Sequence, residues 1–98
     1  MERSPNYYLD AMEKCAIPKY LRANVAGYIC NGDELGGFLA AVFENNLVEA
    51  AARADEFNTM CLRNYAQFLF SYAPRGCWGS PEIVSKWMVN KGLRGRAA

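Results

Sequence analysis

Four cysteines and one glycine-rich stretch are the parts of this sequence that could do chemistry. The stretch from Arg75 to Pro81, RGCWGSP, places a thiol, an indole and a hydroxyl close to an arginine. A cysteine beside an arginine can have a lowered thiol pKa, but a nucleophile of this kind also needs a base to activate it. The chain contains no histidine, the commonest general base. We therefore expect no catalytic residue and no enzyme activity.

The spacing of the cysteines also argues against a metal site. Structural zinc needs four converging ligands, which usually come in close-spaced pairs. The cysteines of this chain are scattered, at Cys15, Cys30, Cys61 and Cys77. The acidic pairs at residues 33–34 and 55–56 lack the spacing of a calcium loop and are expected to cap helices. We predict reduced thiols, buried or half-buried separately, with no metal and no other cofactor.

Prolines, glycines and capping residues divide the chain into helices. Pro5 and Pro18 stand where helices begin, Asn46 and Ser80 are N-cap residues, and Asp55 could cap a further helix. Helices are expected over residues 5–14, 18–31, 38–45, 46–73 and 80–92, with a break at residue 55 left open. No alternating run indicates a strand. We predict an all-α fold, a single bundle of five or six short helices over residues 1–98, with residues 92–98 as a frayed tail.

The aromatic helix before Pro74 contains one residue that does not fit its pattern. At 100° per residue, its apolar face is formed by Cys61, Leu62, Tyr65, Phe68, Leu69 and Tyr72. Arg63 and Gln67 lie on the opposite side, and Phe70 falls beside them, where water is the expected neighbour. If the N-terminal helix covers that side, Phe70 belongs to the core. Otherwise Phe70 is an exposed anchor for a partner or for a homodimer.

The stretch RGCWGS is predicted to be the turn between two helices. Pro74 ends the first helix and Ser80 caps the second. Gly76 and Gly79 give the backbone the freedom that a tight connection needs. Trp78 is predicted to fold over the core as a plug, and the alternative is that it forms a recognition tip.

Positive charge is concentrated in the last third of the chain. Residues 1–60 carry nine acids and five bases, whereas residues 61–98 carry one acid and six bases. Five of these bases surround the last helix: Arg75, Lys86, Lys91, Arg94 and Arg96. Bases next to an aromatic such as Trp78 could neutralise phosphates and stack on a single strand of DNA or RNA. The alternatives are an acidic surface that competes with nucleic acid for a basic groove, or an ordinary solvated surface.

Targeting signals are not evident in the sequence. Apolar runs such as residues 38–43 fall far short of the ~20 residues that span a bilayer. The first ten residues lack the basic and apolar regions of a secretory signal. We expect a cytoplasmic protein without a membrane partner.

Two segments, GGFLAAVFENNLVEAAARADEFN and APRGCWGSPEIVSKWM, are separated by the aromatic helix. This arrangement resembles a group of small helical proteins encoded in phages and prophages. The shared features are an early Ile-Pro, a Gly-Gly-Phe-Leu helix, an Asn-rich step followed by Arg-Ala-Asp, and Trp-Gly-Ser before a final Trp-bearing helix. They cover roughly residues 17–90. The chain departs from the pattern at residues 43–47, FENNL, where Asn-Asp is expected at the step.

The resemblance implies a phage origin more than a mechanism, because most members of the group have no assigned activity. Small phage proteins without catalytic residues are commonly stoichiometric binders of host machinery, and inhibitors of CRISPR systems are a prominent class. We therefore expect an inhibitor of a host defence nucleoprotein complex, acting in the host cytoplasm. The alternative is a small nucleic-acid-binding or regulatory domain that uses the basic C-terminal helix. The candidate partner-binding residues are Arg63, Gln67, Phe70, Arg75, Trp78, Lys86, Lys91 and Arg94.

Overall fold

The computed structural model describes residues 4–97, and this part of the chain contains eight helices and no strand. The helices are α1 (Pro5–Lys14), α2 (Lys19–Asn31), α3 (Gly37–Phe43), α4 (Leu47–Arg53), α5 (Glu56–Met60), α6 (Leu62–Ser71), α7 (Pro81–Val89) and α8 (Gly92–Ala97). The predicted all-α fold is confirmed. None of the helices in this part of the chain is long and apolar enough to cross a membrane.

Three predicted N-caps are confirmed. The side chains of Asn46, Asp55 and Ser80 each accept a hydrogen bond from the amide three residues later, over 2.8–3.2 Å. Each bond satisfies one of the amides that the first turn of a helix leaves without an intrahelical partner. These caps explain why α4, α5 and α7 begin where they do.

The predicted number of five or six helices is wrong because the chain breaks more often than its apolar pattern indicates. The segment expected to continue from Asp55 to residue 73 divides at Cys61, whose backbone has φ −106° and ψ 6°. The third helix ends at Phe43, two residues earlier than expected, and Asn45 takes a left-handed conformation with φ 62°. The other helix that the sequence did not predict is α8.

Residues Gly92–Ala97 form α8, whereas the sequence indicated a frayed tail from residue 92. Leu93 is buried, and α8 packs against α2. The contact depends on two glycines with positive φ, Gly32 at the end of α2 and Gly92 at the start of α8. A Cβ on Gly92 would lie 2.7 Å from both the amide nitrogen of Gly32 and the carbonyl oxygen of Ile29. The close approach of the two backbones therefore requires glycine at position 92.

Tyr28 of α2 joins several segments inside the core. Its side chain is fully buried, and its ring meets that of Phe43 edge to face with centroids 5.0 Å apart. Its hydroxyl donates to the carbonyl oxygen of Cys77 over 2.7 Å, and its own carbonyl accepts from the indole Nε1 of Trp87 over 3.0 Å. The amide of Gly79 donates to the carbonyl of Phe43 over 2.8 Å. The turn at residues 74–80 is thus bonded to α2 and to the end of α3.

The glycine contact between α2 and α8 gives a direct test of this packing. Gly92→Ala should lower the free energy of unfolding by about 3 kcal/mol, because the left-handed backbone and the backbone overlap both oppose a Cβ. Gly36→Ala is the matched control, since a Cβ there would have nothing within 4 Å. It should change stability by less than about 1 kcal/mol. Urea unfolding measures both variants, and equal stabilities would contradict the packing of α8.

Candidate functional site

An apolar groove lies between α3, α4, α6 and the turn at residues 74–80. We call it the Phe70 groove; its volume is about 340 Å³. It is lined by Ala41, Val42, Asn45, Asn46, Leu47, Ala50, Leu62, Tyr65, Ala66, Leu69, Phe70 and Trp78. None of these lining residues carries a charge. The groove is therefore suited to apolar side chains and not to a charged substrate.

Phe70 is 88% exposed, so the interpretation of Phe70 as a core residue is wrong. The predicted apolar face of this helix is confirmed, because Tyr65, Phe68 and Leu69 are buried. What differs is the position of α1, which packs against α2. The N-terminal helix therefore does not cover the side of α6 that carries Phe70.

The N-terminal helix meets the end of α6 through an aromatic contact. The ring of Tyr7 contacts that of Tyr72, with centroids 6.4 Å apart. Tyr8 and Met12 of α1 are buried in the core. On the uncovered side of α6, Arg63 and Gln67 are exposed, one turn apart and next to Phe70.

Trp78 forms one wall of the Phe70 groove. It is half-buried and packs against the core, as expected of a residue that folds over the core. It also lines the groove. Its neighbours Cys77 and Gly79 are hydrogen-bonded to Tyr28 and to the backbone of Phe43. The backbone on both sides of Trp78 is thereby fixed, which places the indole in the wall.

The thiols are buried or half-buried, as predicted. Cys15, Cys30 and Cys77 are buried and Cys61 is half-buried. Cys77 is fully inaccessible, so it cannot act as the reactive thiol that its arginine neighbour suggested. Burial raises the pKa of the Cys15 thiol. Among residues 4–97, no three Cys, Asp or Glu side chains are grouped so that they could hold a metal ion.

One of the basic candidates, Lys86, lines a second recess, which we call the glycine cleft. Its volume is about 520 Å³, and it is lined by Gly76, Ile83, Lys86, Trp87, Asn90, Gly92 and Gly95. Arg75, Lys91 and Arg94 are exposed, and each precedes one of the glycines of the cleft in sequence. The side chain of Arg96 lies outside the described residues. Trp78, which the sequence grouped with these bases, belongs to the Phe70 groove instead.

A polar chain at the α5–α6 junction is the feature that sequence reasoning missed. Tyr20 donates a hydrogen bond to the carboxylate of Asp55 and accepts one from the amide of Asn58 over 3.2 Å. Tyr65 donates to the side-chain oxygen of Asn58 over 2.7 Å. Asn58 is buried. In the sequence, only the capping residue Asp55 indicated that Asn58 lies in the first turn of a helix. The chain of bonds holds α5 against α2 and α6.

No protein-family model, curated protein or solved structure matches the chain. The resemblance to small phage proteins consequently stays a prediction. The Phe70 groove and the glycine cleft are the two recesses that could bind a partner.

The bond between Tyr20 and Asp55 predicts a specific pH dependence. The hydrogen bond from Tyr20 is the main reason that the pKa of Asp55 is lowered in the folded protein. Since the unfolded value is about 3.9, the bond stabilises the fold above that pH. This stabilisation is lost as the pH falls through the lower folded-state pKa.

Tyr20→Phe should therefore show a smaller loss of stability than the native protein between about pH 5 and about pH 2. Tyr72→Phe, at a ring that stacks on Phe68, is the control and should follow the native pH profile. Urea unfolding at several pH values measures the three proteins. Parallel profiles for the native protein and Tyr20→Phe would contradict the role of this bond.

Proposed function

We propose that this chain is a small binding protein of phage origin that inhibits a host defence nucleoprotein complex by stoichiometric binding, in the manner of an anti-CRISPR protein. The observation that carries the proposal is the Phe70 groove, an uncharged recess beside an aromatic side chain that is 88% exposed. Burying the Phe70 side chain in a partner would stabilise the complex by about 1.5–3 kcal/mol relative to leaving it in water.

The residues around the groove are typical of an interface. Leu47, at the first position of α4, is 70% exposed and lines the groove opposite α6. Phe70 and Trp78 are of the aromatic class that interfaces favour, and Arg63 supplies a charge at the rim. An aromatic anchor with an arginine nearby is the combination enriched in binding hot spots.

The groove also indicates the chemistry of its partner. A volume of about 340 Å³ is at the lower end of ligand sites and suits one or two apolar side chains of another protein. The lining has no acid or base, whereas Arg63 is exposed on the same side of α6. We infer a protein surface that inserts an apolar side chain into the groove and presents an acidic group to Arg63.

The resemblance to phage proteins supports the choice of a host defence complex as the target. Inhibition by occupying a surface of the target needs no catalytic residue. It therefore agrees with the burial of Cys77, which leaves that thiol unable to react. A homodimer through the same face is the competing use of Phe70. The alternative of a nucleic-acid-binding domain depends on the glycine cleft, a different surface.

The proposal predicts that Phe70→Asp abolishes inhibition without unfolding the protein. Because Phe70 is exposed, the carboxylate would remain in water, and the variant should keep its helical circular dichroism and its Tm to within a few degrees. Val89→Asp is the matched control, since Val89 is 74% exposed on α7 and does not line the groove.

The measurement is the plating efficiency of a targeted phage on hosts that carry defined CRISPR systems and express each variant. The native chain and Val89→Asp should restore plating on at least one host, and Phe70→Asp should not. Failure of the native chain on every host would contradict the proposed target. Light scattering of the purified protein tests the dimer: a dimer that Phe70→Asp converts to a monomer would assign the face to self-association.

A further inference from the structure

The glycine cleft has a wall made largely of backbone. Three of its lining residues are glycines, Gly76, Gly92 and Gly95. At Gly92 and Gly95 the space that a side chain would take is filled by backbone atoms of the chain itself. The polar side chains of the lining are Lys86 of α7 and Asn90, which directly follows α7. Unlike the Phe70 groove, the cleft therefore has a basic side chain in its lining.

The charged residues that line the cleft or adjoin its lining residues in sequence are positive, except Glu82. Lys86 lines it, and Lys91 and Arg94 are exposed next to two of its glycines. Glu82 is the one acid in residues 61–98, and it lies one turn before Lys86 on a shallow neighbouring surface that also includes Val89. No acidic residue lines the cleft itself. The site therefore favours an anion, and several bases in reach favour a ligand with repeated negative charges.

The cleft also has an apolar side. Ile83 is 37% exposed, and Trp87 lies beside it with its indole Nε1 already bonded to the carbonyl of Tyr28. Trp87 is consequently fixed in position and is buried, so the exposed apolar surface of the cleft comes mainly from Ile83. A ligand that combines phosphates with flat apolar rings matches both sides of this recess.

We propose that the glycine cleft binds single-stranded nucleic acid, with phosphates against Lys86, Lys91 and Arg94 and a base against the exposed side chain of Ile83. The concave shape favours a single strand over a duplex. A volume of about 520 Å³ admits one nucleotide unit, whereas a duplex is read by an element that projects into its groove. The site is separate from the Phe70 groove, so the proposal goes beyond the proposed function and does not rest on it.

Two double variants of equal charge test the site. Lys86→Gln/Arg94→Gln removes two bases at the cleft, and Lys14→Gln/Lys19→Gln removes two exposed bases from α1 and α2. All four side chains are exposed, so both variants should keep the native circular dichroism and Tm. The probe is a fluorescent oligothymidine of about twelve nucleotides, a length within the range that small single-strand sites cover.

Fluorescence anisotropy at several salt concentrations between about 50 and about 200 mM should show salt-dependent binding by the native protein. The cleft variant should bind about tenfold or more weakly, and its slope of log K against log salt should be shallower by about 1.4, which is two phosphate contacts. The control variant should stay within about twofold of the native affinity. Phe70→Asp should bind the oligonucleotide normally, which separates this site from the proposed function.

Three results would overturn the proposal. One is the absence of binding by the native protein at the lowest salt concentration. Another is equal weakening in the two double variants, which would indicate diffuse attraction to any positive surface. The third is tighter binding of a duplex of the same length, which would assign the basic surface to double-stranded nucleic acid.

Discussion

The hydrogen bond from the hydroxyl of Tyr28 to the carbonyl of Cys77 is the interaction on which both proposed sites depend. Cys77 stands between Gly76, which lines the glycine cleft, and Trp78, which lines the Phe70 groove. This buried hydrogen bond therefore holds Cys77 in place, and with it the two neighbouring residues that line the two recesses. Burial raises the pKa of Tyr28 and keeps the hydroxyl protonated, so that it remains a donor.

The cost of losing this bond explains why it can organise the turn. A buried carbonyl without a partner costs about 1–3 kcal/mol, and Cys77 is fully buried. The second anchor, from the amide of Gly79 to the carbonyl of Phe43, secures the other end of the same segment. Cys77 is buried in the core, while Gly76 before it lines the glycine cleft and Trp78 after it lines the Phe70 groove, so the short turn contributes to two separate recesses.

Local signals in the sequence predicted the all-α fold, the caps at Asn46, Asp55 and Ser80, and the phase of α6, because each depends on a few neighbouring residues. The break at Cys61 lies between Asn58 and Tyr65, which are hydrogen-bonded to each other, and Asn58 is also bonded to Tyr20, 38 residues away in the chain. This distant contact has no local signal in the sequence.

Less of the candidate site could be predicted, because its position depends on how distant segments of the chain pack together. Helical phase placed Phe70 on the polar side of α6, but whether α1 covered it was a matter of tertiary packing. The grouping of Trp78 with the basic residues was reasonable from their proximity in sequence. Only the path of the turn assigns the indole to the groove and Lys86 to the cleft.

Amide hydrogen exchange in Tyr28→Phe tests most directly whether the Tyr28 hydroxyl holds the turn. The amide of Gly79 reports on the turn, and the amide of Leu69 in α6 reports on the body of the fold. Relative to Leu69, exchange at Gly79 should be about tenfold faster in the variant than in the native protein, which corresponds to about 1.4 kcal/mol. Exchange at Gly79 that keeps its native ratio to Leu69 would contradict the account, because the turn would then be held without the hydroxyl.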